Sequence, residues 1–459
     1  MKKLIFALIA IAAFLIAPNT THADSTSPMT PEQWLASQNM THADGTPDFA
    51  GTLKAAKQGK ASAQYNLGRM YDAGQGVAED DTKAVYWVTK AAEQGYADAQ
   101  FNLGLRYDAG EGVAEDDTKA VYWVTKAAEQ GEASAQIHLG VMYANGKGVA
   151  EDDTKAVYWY TKSAEQGVAS AQYALGFKYD NGEGVAEDDT KAVYWYTKSA
   201  EQGEALAQYA LGFKYDNGEG VAEDDTKAVY WYTKAAEQGE ANAQFFLGLM
   251  YAYGEGVAED DAKAVYWVTK SAEQGEALAQ YALGLMYANG EGVAKDDTKA
   301  FYWVTKSAEQ GEASAQSHLG FMYAKGQGVA KDYTKAVYWV TKAAEQGYAS
   351  AQYNLGLMYD NGEGVAKDYT KAFYWVTKSA EQGEASAQYS LGLKYAIGEG
   401  VAKDMVLAYA WLNLAAINSD ADAVTMRDIV ERNLDPAGIN ESQRLASNWE
   451  IGQSIKREQ

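Results

Sequence analysis

The 459 residues exceed the roughly 250 to 300 that one hydrophobic core usually organises, so several domains or a repeat array are expected. Apolar residues make up 47% of the chain, but many are alanine and tyrosine, which suit thin helix-on-helix layers better than a bulky sheet sandwich. A formal net charge of -24 argues against nucleic acid and anionic membrane surfaces as partners, and the absence of cysteine excludes disulfides, thiolate metal sites and lipid attachment at an N-terminal Cys.

At the N-terminus, Lys2 and Lys3 precede an apolar run from Leu4 to Ala17 and the small-residue pattern Thr21-His22-Ala23. This reads as a secretory signal cleaved after Ala23. An uncleaved anchor is the alternative, although the run is short for a span of about 20 residues. Residues 24–47 read as a linker, with a short helix starting at Thr30-Pro31-Glu32-Gln33 ahead of Trp34 and Leu35. Residues 48–62 form a partial repeat, a lone helix from Asp48 to Gly59 that echoes the second helix of the copies to come.

From there tryptophan recurs every 36 residues, from Trp87 to Trp411. A period between 20 and 50 residues marks a solenoid or propeller. In the first copy, Ala63, Leu67, Gly68 and Tyr71 lie on one helix face, and Ala84, Trp87, Val88, Ala91 and Ala92 on another. Each copy therefore holds two helices. Gly74 and Gly76 stop the first, Asp80 or Asp81 opens the second, and Gly95 ends it. Gly68 sits inside a helix at a cost of about 1 kcal/mol, which implies close approach of a neighbouring helix. The tenth copy departs after Asp404, and helices are expected from about Asp420 to Asn433 and from Pro436 toward Ile455.

The pattern A-x-x-x-L-G-x-x-Y, G-x-G-V, K-A-x-x-W and K-A/S-A-E-Q-G closely resembles the Sel1-like repeat, a relative of the tetratricopeptide repeat, over residues 63–416. The resemblance implies an all-α, right-handed α/α superhelical solenoid of about ten helix-turn-helix repeats. Helical caps would close its ends, the last at 417–459. It also implies that first helices line a concave face and that the protein acts as an adaptor for other proteins.

If Ala63, Leu67 and Tyr71 face the core, Tyr65, Arg69 and Asp72 lie on another face of the same helix. By resemblance that face is concave. Its equivalents include Phe101, Leu105 and Asp108; Ile137 and Val141; Tyr173, Phe177 and Asp180; Tyr209, Phe213 and Asp216; Phe245 and Leu249; Tyr281 and Leu285; Phe321; Tyr353 and Leu357; and Tyr389 and Leu393. Two readings stand side by side: an exposed aromatic strip that binds a protein or peptide, or extra core between repeats.

No catalytic motif, cofactor fingerprint or metal-ligand spacing occurs. His138 and His318 lie five copies apart, and the acidic loops such as Glu79-Asp80-Asp81 lack the alternating oxygens of a calcium loop. From the seventh copy on, the loop glutamate becomes lysine (Lys295, Lys331, Lys367, Lys403). The expectation is a periplasmic or secreted adaptor without a cofactor. The alternatives are a surface factor contacting host proteins, a cell-wall protein contacting glycan, or a hydrolase such as the β-lactam-linked, cysteine-rich branch of the family. From that last branch the chain departs by having no cysteine.

Overall fold

A computed structural model describes residues 48–417 and 421–455. The expected signal segment with its cleavage after Ala23 and the linker helix lie outside them. All regular structure among the described residues is α-helical, in 23 helices. The lone helix Phe49–Lys57 comes first, with the Asp48 carboxylate accepting from the Gly51 N–H at 2.8 Å. Ten helix pairs follow, from Ala61–Asp72 with Asp81–Glu93 to Ala385–Ile397 with Met405–Ile417. Ala421–Glu431 and Pro436–Ser447 close the chain. The last helix stops at Ser447, short of the expected Ile455, because residues beyond it turn back onto the ninth copy, where the Gly452 N–H donates to the Glu381 carbonyl at 2.7 Å.

The chain forms two compact units, one reaching Ala243 and including Glu255–Val257, the other comprising Gln244–Gly254 and the residues from Ala258 on. The same stacking rules operate inside each. The glycine within the first helix is the point of closest approach: a Cβ on Gly68 would lie 2.6 Å from Val88 Cγ2 and 3.0 Å from the Ala84 carbonyl oxygen. The helix-propensity cost is thus offset by tight packing within the pair. Of the loop glycines, Gly110 ends its helix in the left-handed region at φ 71. Gly112 has a second reason to be glycine, since a Cβ there would meet the Asp81 carbonyl oxygen of the preceding copy at 2.8 Å.

Asp80, not Asp81, caps the second helix, accepting from the Lys83 N–H at 2.9 Å, and the next copies repeat this from Asp116 to Asp404. A glutamine relay stitches neighbouring copies. In the first, Gln94 Nε2 donates to Gln64 Oε1 at 2.6 Å, and Gln64 Nε2 donates in turn to the Ala56 carbonyl of the preceding helix at 3.1 Å. Gln202, Gln172 and Ala164 make the same chain in the fourth and third copies, so buried amides find partners along the stack.

Candidate functional site: the face of the first helices

The ladder is neither a free strip nor uniform core. Residues at the Tyr65 position pack on neighbouring helices: Tyr65 lies 5.5 Å from Tyr96 at the end of its own copy and Phe101 lies 5.9 Å from His138 of the next, both between ring centroids. In the second unit Tyr281 lies 5.9 Å from His318, and the Tyr353 hydroxyl is 3.3 Å from Ser390 Oγ. Tyr65, Phe101, Ile137, Tyr173, Tyr281, Tyr353 and Tyr389 are half-buried, as are Arg69, Leu105, Val141, Phe177, Leu285, Leu357 and Leu393. Burial raises the Tyr65 hydroxyl and pushes Tyr173 up to about 12. Phe321, at 46%, is the exposed member. Tyr209, Phe213, Phe245 and Leu249 are buried and belong to the core reading: Tyr209 packs 6.0 Å from Tyr232, and Phe245 lies 5.6 Å from Phe246.

The carboxylates that edge the ladder have a role that spacing alone did not reveal. Position 70 of the first helix, methionine in six copies, is a buried cation in the others: Arg106, Lys178, Lys214 and Lys394. Asp72 pairs with Arg106, Asp180 with Lys214, and Asp360 with Lys394 at 2.6 Å, each bond reaching from one copy to the next. Lys214 is further clasped by Asp189 and Glu219, both at 2.8 Å. Burial alone would lower its ammonium, but the three carboxylates together hold it above the ordinary range. Burial likewise raises Asp180, against the pull of Lys214 and of the Tyr196 hydroxyl at 3.2 Å.

Two of the mismatched seams find other charges nearby. Asp108 faces a copy with Met142 and takes Lys147 at 2.8 Å instead, whereas Lys178 follows Ala144 and uses Asp153 at 2.7 Å and Glu183 at 2.6 Å. Asp216 has no ion pair among the described residues. Its carboxyl meets the Tyr232 hydroxyl at 3.3 Å and is pushed up to about 7 by burial and by Asp225, Glu255 and Glu223. The available signal for this seam was the alternation of Met and Lys at one position with Asp placed 34 residues before the cation.

The two histidines are half-buried and held below their usual range, chiefly by burial. No group of metal-binding side chains occurs among the described residues, and no helix among them is long and apolar enough to cross a membrane. The loop gradient acquires a local chemistry: where earlier copies have aspartate at the Asp81 position, copies eight and nine have Tyr333 and Tyr369, and Lys331 sits 4.5 Å over the first ring and Lys367 4.7 Å over the second, as cation–π partners.

The Sel1 repeat model matches ten consecutive 36-residue segments, from 61–96 to 385–420. A protective antigen present in uropathogenic Escherichia coli strains, displaying an SLR fold, is 38% identical, with a TM-score of 0.60 over 87% of this chain and 94% of that one. A Sel1 repeat protein from Oxalobacter formigenes is 34% identical, with a TM-score of 0.54 over 76% of this chain and 99% of that one. No curated protein matches the chain. Ten matched repeats and an extensive likeness to two solved Sel1 and SLR structures lead to one conclusion: the chain belongs to the Sel1 repeat family.

Proposed function

We propose that the chain is an exported adaptor that holds a protein or peptide ligand on the half-buried aromatic face of its first helices, with no catalytic step and no cofactor. The observation that carries this reading is the face itself: Tyr65, Phe101, Leu105, Tyr173 and Phe177 in the first unit, and Tyr281, Leu285, Phe321, Tyr353 and Leu357 in the second. All of them keep part of their surface accessible after packing on neighbouring helices. Membership of a family of protein-interaction scaffolds supports it. Export rests on Lys2, Lys3 and the apolar run ending at Ala17, and N-terminal sequencing of the mature protein should begin at Asp24.

The ligand is testable by crosslinking in the native envelope, followed by affinity measurement with the purified partner. Alanine at Tyr281, Leu285 and Phe321 should weaken binding at least tenfold while the helical circular dichroism is retained. Unchanged affinity would reject this face. The likeness to a protective antigen favours a second reading, placement at the cell surface, and cleavage of the chain by protease added to whole cells would support it.

A further inference from the structure

In copies one to nine the outward face of every second helix carries lysine, tyrosine and lysine at i, i+3 and i+7, as in Lys83, Tyr86 and Lys90 or Lys371, Tyr374 and Lys378. The tyrosine leans edge-on against its neighbouring tryptophan, 5.1 Å between ring centroids in the first copy, yet stays about half exposed, at 54% for Tyr86 and 52% for Tyr374. In copies one to eight the second lysine rests over that ring, 5.0 Å away at Lys126 and 5.9 Å at Lys306. Lys90 and Lys378 reach Glu93 and Glu381 at 3.8 and 3.7 Å, and from Lys126 to Lys342 no such ion pair forms among the described residues. In a chain of net charge -24, a row of cations left to tyrosine rings is complementary to an anionic partner.

The tenth copy shows what such a face can hold. There the triplet is Leu407, Ala410 and Leu414, and the chain covers it with its own last helix, Pro436–Ser447, and the residues that follow. Ala410, Trp411 and Leu414 are buried in one cluster with Ala446 and Ile455, and Leu407, Leu445 and Trp449 pack against it. Trp411 lies 6.0 Å from Trp449, and Ser442 Oγ donates to the Val406 carbonyl at 2.9 Å. In this seat the last helix lays small residues against the repeat: Ser442 and Ala446 are buried there, and a Cβ on Gly438 would lie 3.6 Å from Val406 Cγ2. In the earlier copies the large tyrosine and the lysine stems are on the repeat, so the complementary helix would present small residues at its centre and carboxylates at its flanks.

We propose that the outer face of the second helices Asp297–Glu309 and Tyr333–Glu345, where Lys295 and Lys331 replace the loop glutamate of the earlier copies, is a docking strip for an acidic amphipathic helix of a partner protein, seated as the chain's own last helix is seated on Ala410. This is a different surface from the first-helix face, and neither proposal depends on the other. The test uses the full chain and a fluorescent 20-residue helical peptide with alanine along one face and glutamate at its flanks, followed by anisotropy.

Saturable binding should fall at least tenfold in a protein carrying Y302A, K306E, Y338A and K342E, and should weaken with added salt. A Y281A, L285A protein, altered on the other face, should bind as the parent does. Circular dichroism of both variants checks the fold. Equal binding by parent and strip variant would overturn the proposal, as would equal binding of a peptide with lysine in place of glutamate. An acidic oligosaccharide that binds the strip while the acidic peptide does not would overturn it in favour of a glycan.

Discussion

Two seams built on the same backbone plan differ in chemistry. Between copies four and five, Asp180 and Lys214 form an ion pair whose side chains are only 3% and 4% exposed, and the Tyr196 hydroxyl joins them. Between copies seven and eight, and again between eight and nine, alanine and methionine stand in those places: Ala288 with Met322 and Ala324 with Met358. At six of the nine seams the two positions match, charge with charge or small with large, and the seams of Asp108, Ala144 and Asp216 are the exceptions. A buried ion pair gains little net stability, because desolvation consumes most of the attraction, but a buried charge without its partner is costly. The charged seam therefore distinguishes neighbours among nearly identical copies: a slip of one copy would set Lys214 against Ala144 instead of Asp180.

The sharpest way to break the contrast is Lys214→Met, which gives copy five the methionine of the apolar seams and leaves Asp180 buried without its cation. A loss of about 3 to 5 kcal/mol is expected. Adding Asp180→Ala should recover most of it or leave the protein more stable than the parent. Repeat arrays need not unfold in one step, so hydrogen exchange in the fourth and fifth copies should accompany urea titration.

The reverse exchange, Met322→Lys, should cost less, about 1 to 3 kcal/mol, because Asp297 stands where Asp189 stands for Lys214 and can take up the new charge. Ala288→Asp in the same protein should then restore stability, whereas Ala288→Asp alone should lower it. If the double variant is no better than Met322→Lys, the two positions do not face each other as the ion-paired seams do.

Much of this architecture is legible from period and spacing. Trp87 and its successors set the copy length, Leu67 and Gly68 mark the buried face, and the glycine inside the helix announces the close approach to Val88. The seam chemistry was less accessible, because the matched residues lie 34 apart in sequence and their pairing depends on how far one copy is displaced from the next. For the same reason the ladder could not be divided into core and surface beforehand: Tyr209 is buried and Tyr173 half-buried, although both hold the same position on the same motif. The outer tyrosines are not distinguishable from core residues in the sequence, because an invariant aromatic beside tryptophan reads as packing. Their exposure emerges only when the covered tenth copy is set beside the open nine.

Asp216 separates the two chemistries by pH. It keeps the aspartate of a charged seam without an ion pair, and its carboxyl is pushed up to about 7 from an ordinary 3.8. The folded form therefore binds this proton more tightly than the unfolded chain, so the group lowers stability progressively as pH rises from about 4 to about 7. Asp216→Asn should flatten that part of the profile, with a gain on the order of 1 kcal/mol at pH 8 after allowance for partial exposure, and little change near pH 4. Urea midpoints of parent and variant at both pH values would show it. Parallel pH profiles for the two proteins would mean that Asp216 is not held above its ordinary range.

The smallest effect isolates the tyrosine of the charged seam. Tyr160, Tyr196 and Tyr232 replace the valine found at this helix position in copies one, two and six to nine, and each lies against the internal glycine; a Cβ on Gly176 would come 2.7 Å from Tyr196 Cδ1. Tyr196→Phe keeps the ring in that slot and deletes only the donor to Asp180, which retains Lys214. A cost of about 0.5 to 1.5 kcal/mol is expected. Tyr160→Phe is the matched control, because Ala144 supplies no carboxylate there, and its cost should be near zero. Equal losses in the two variants would show that tyrosine is used at this position for shape alone, and that the seam's polar specificity resides in the Asp180–Lys214 pair.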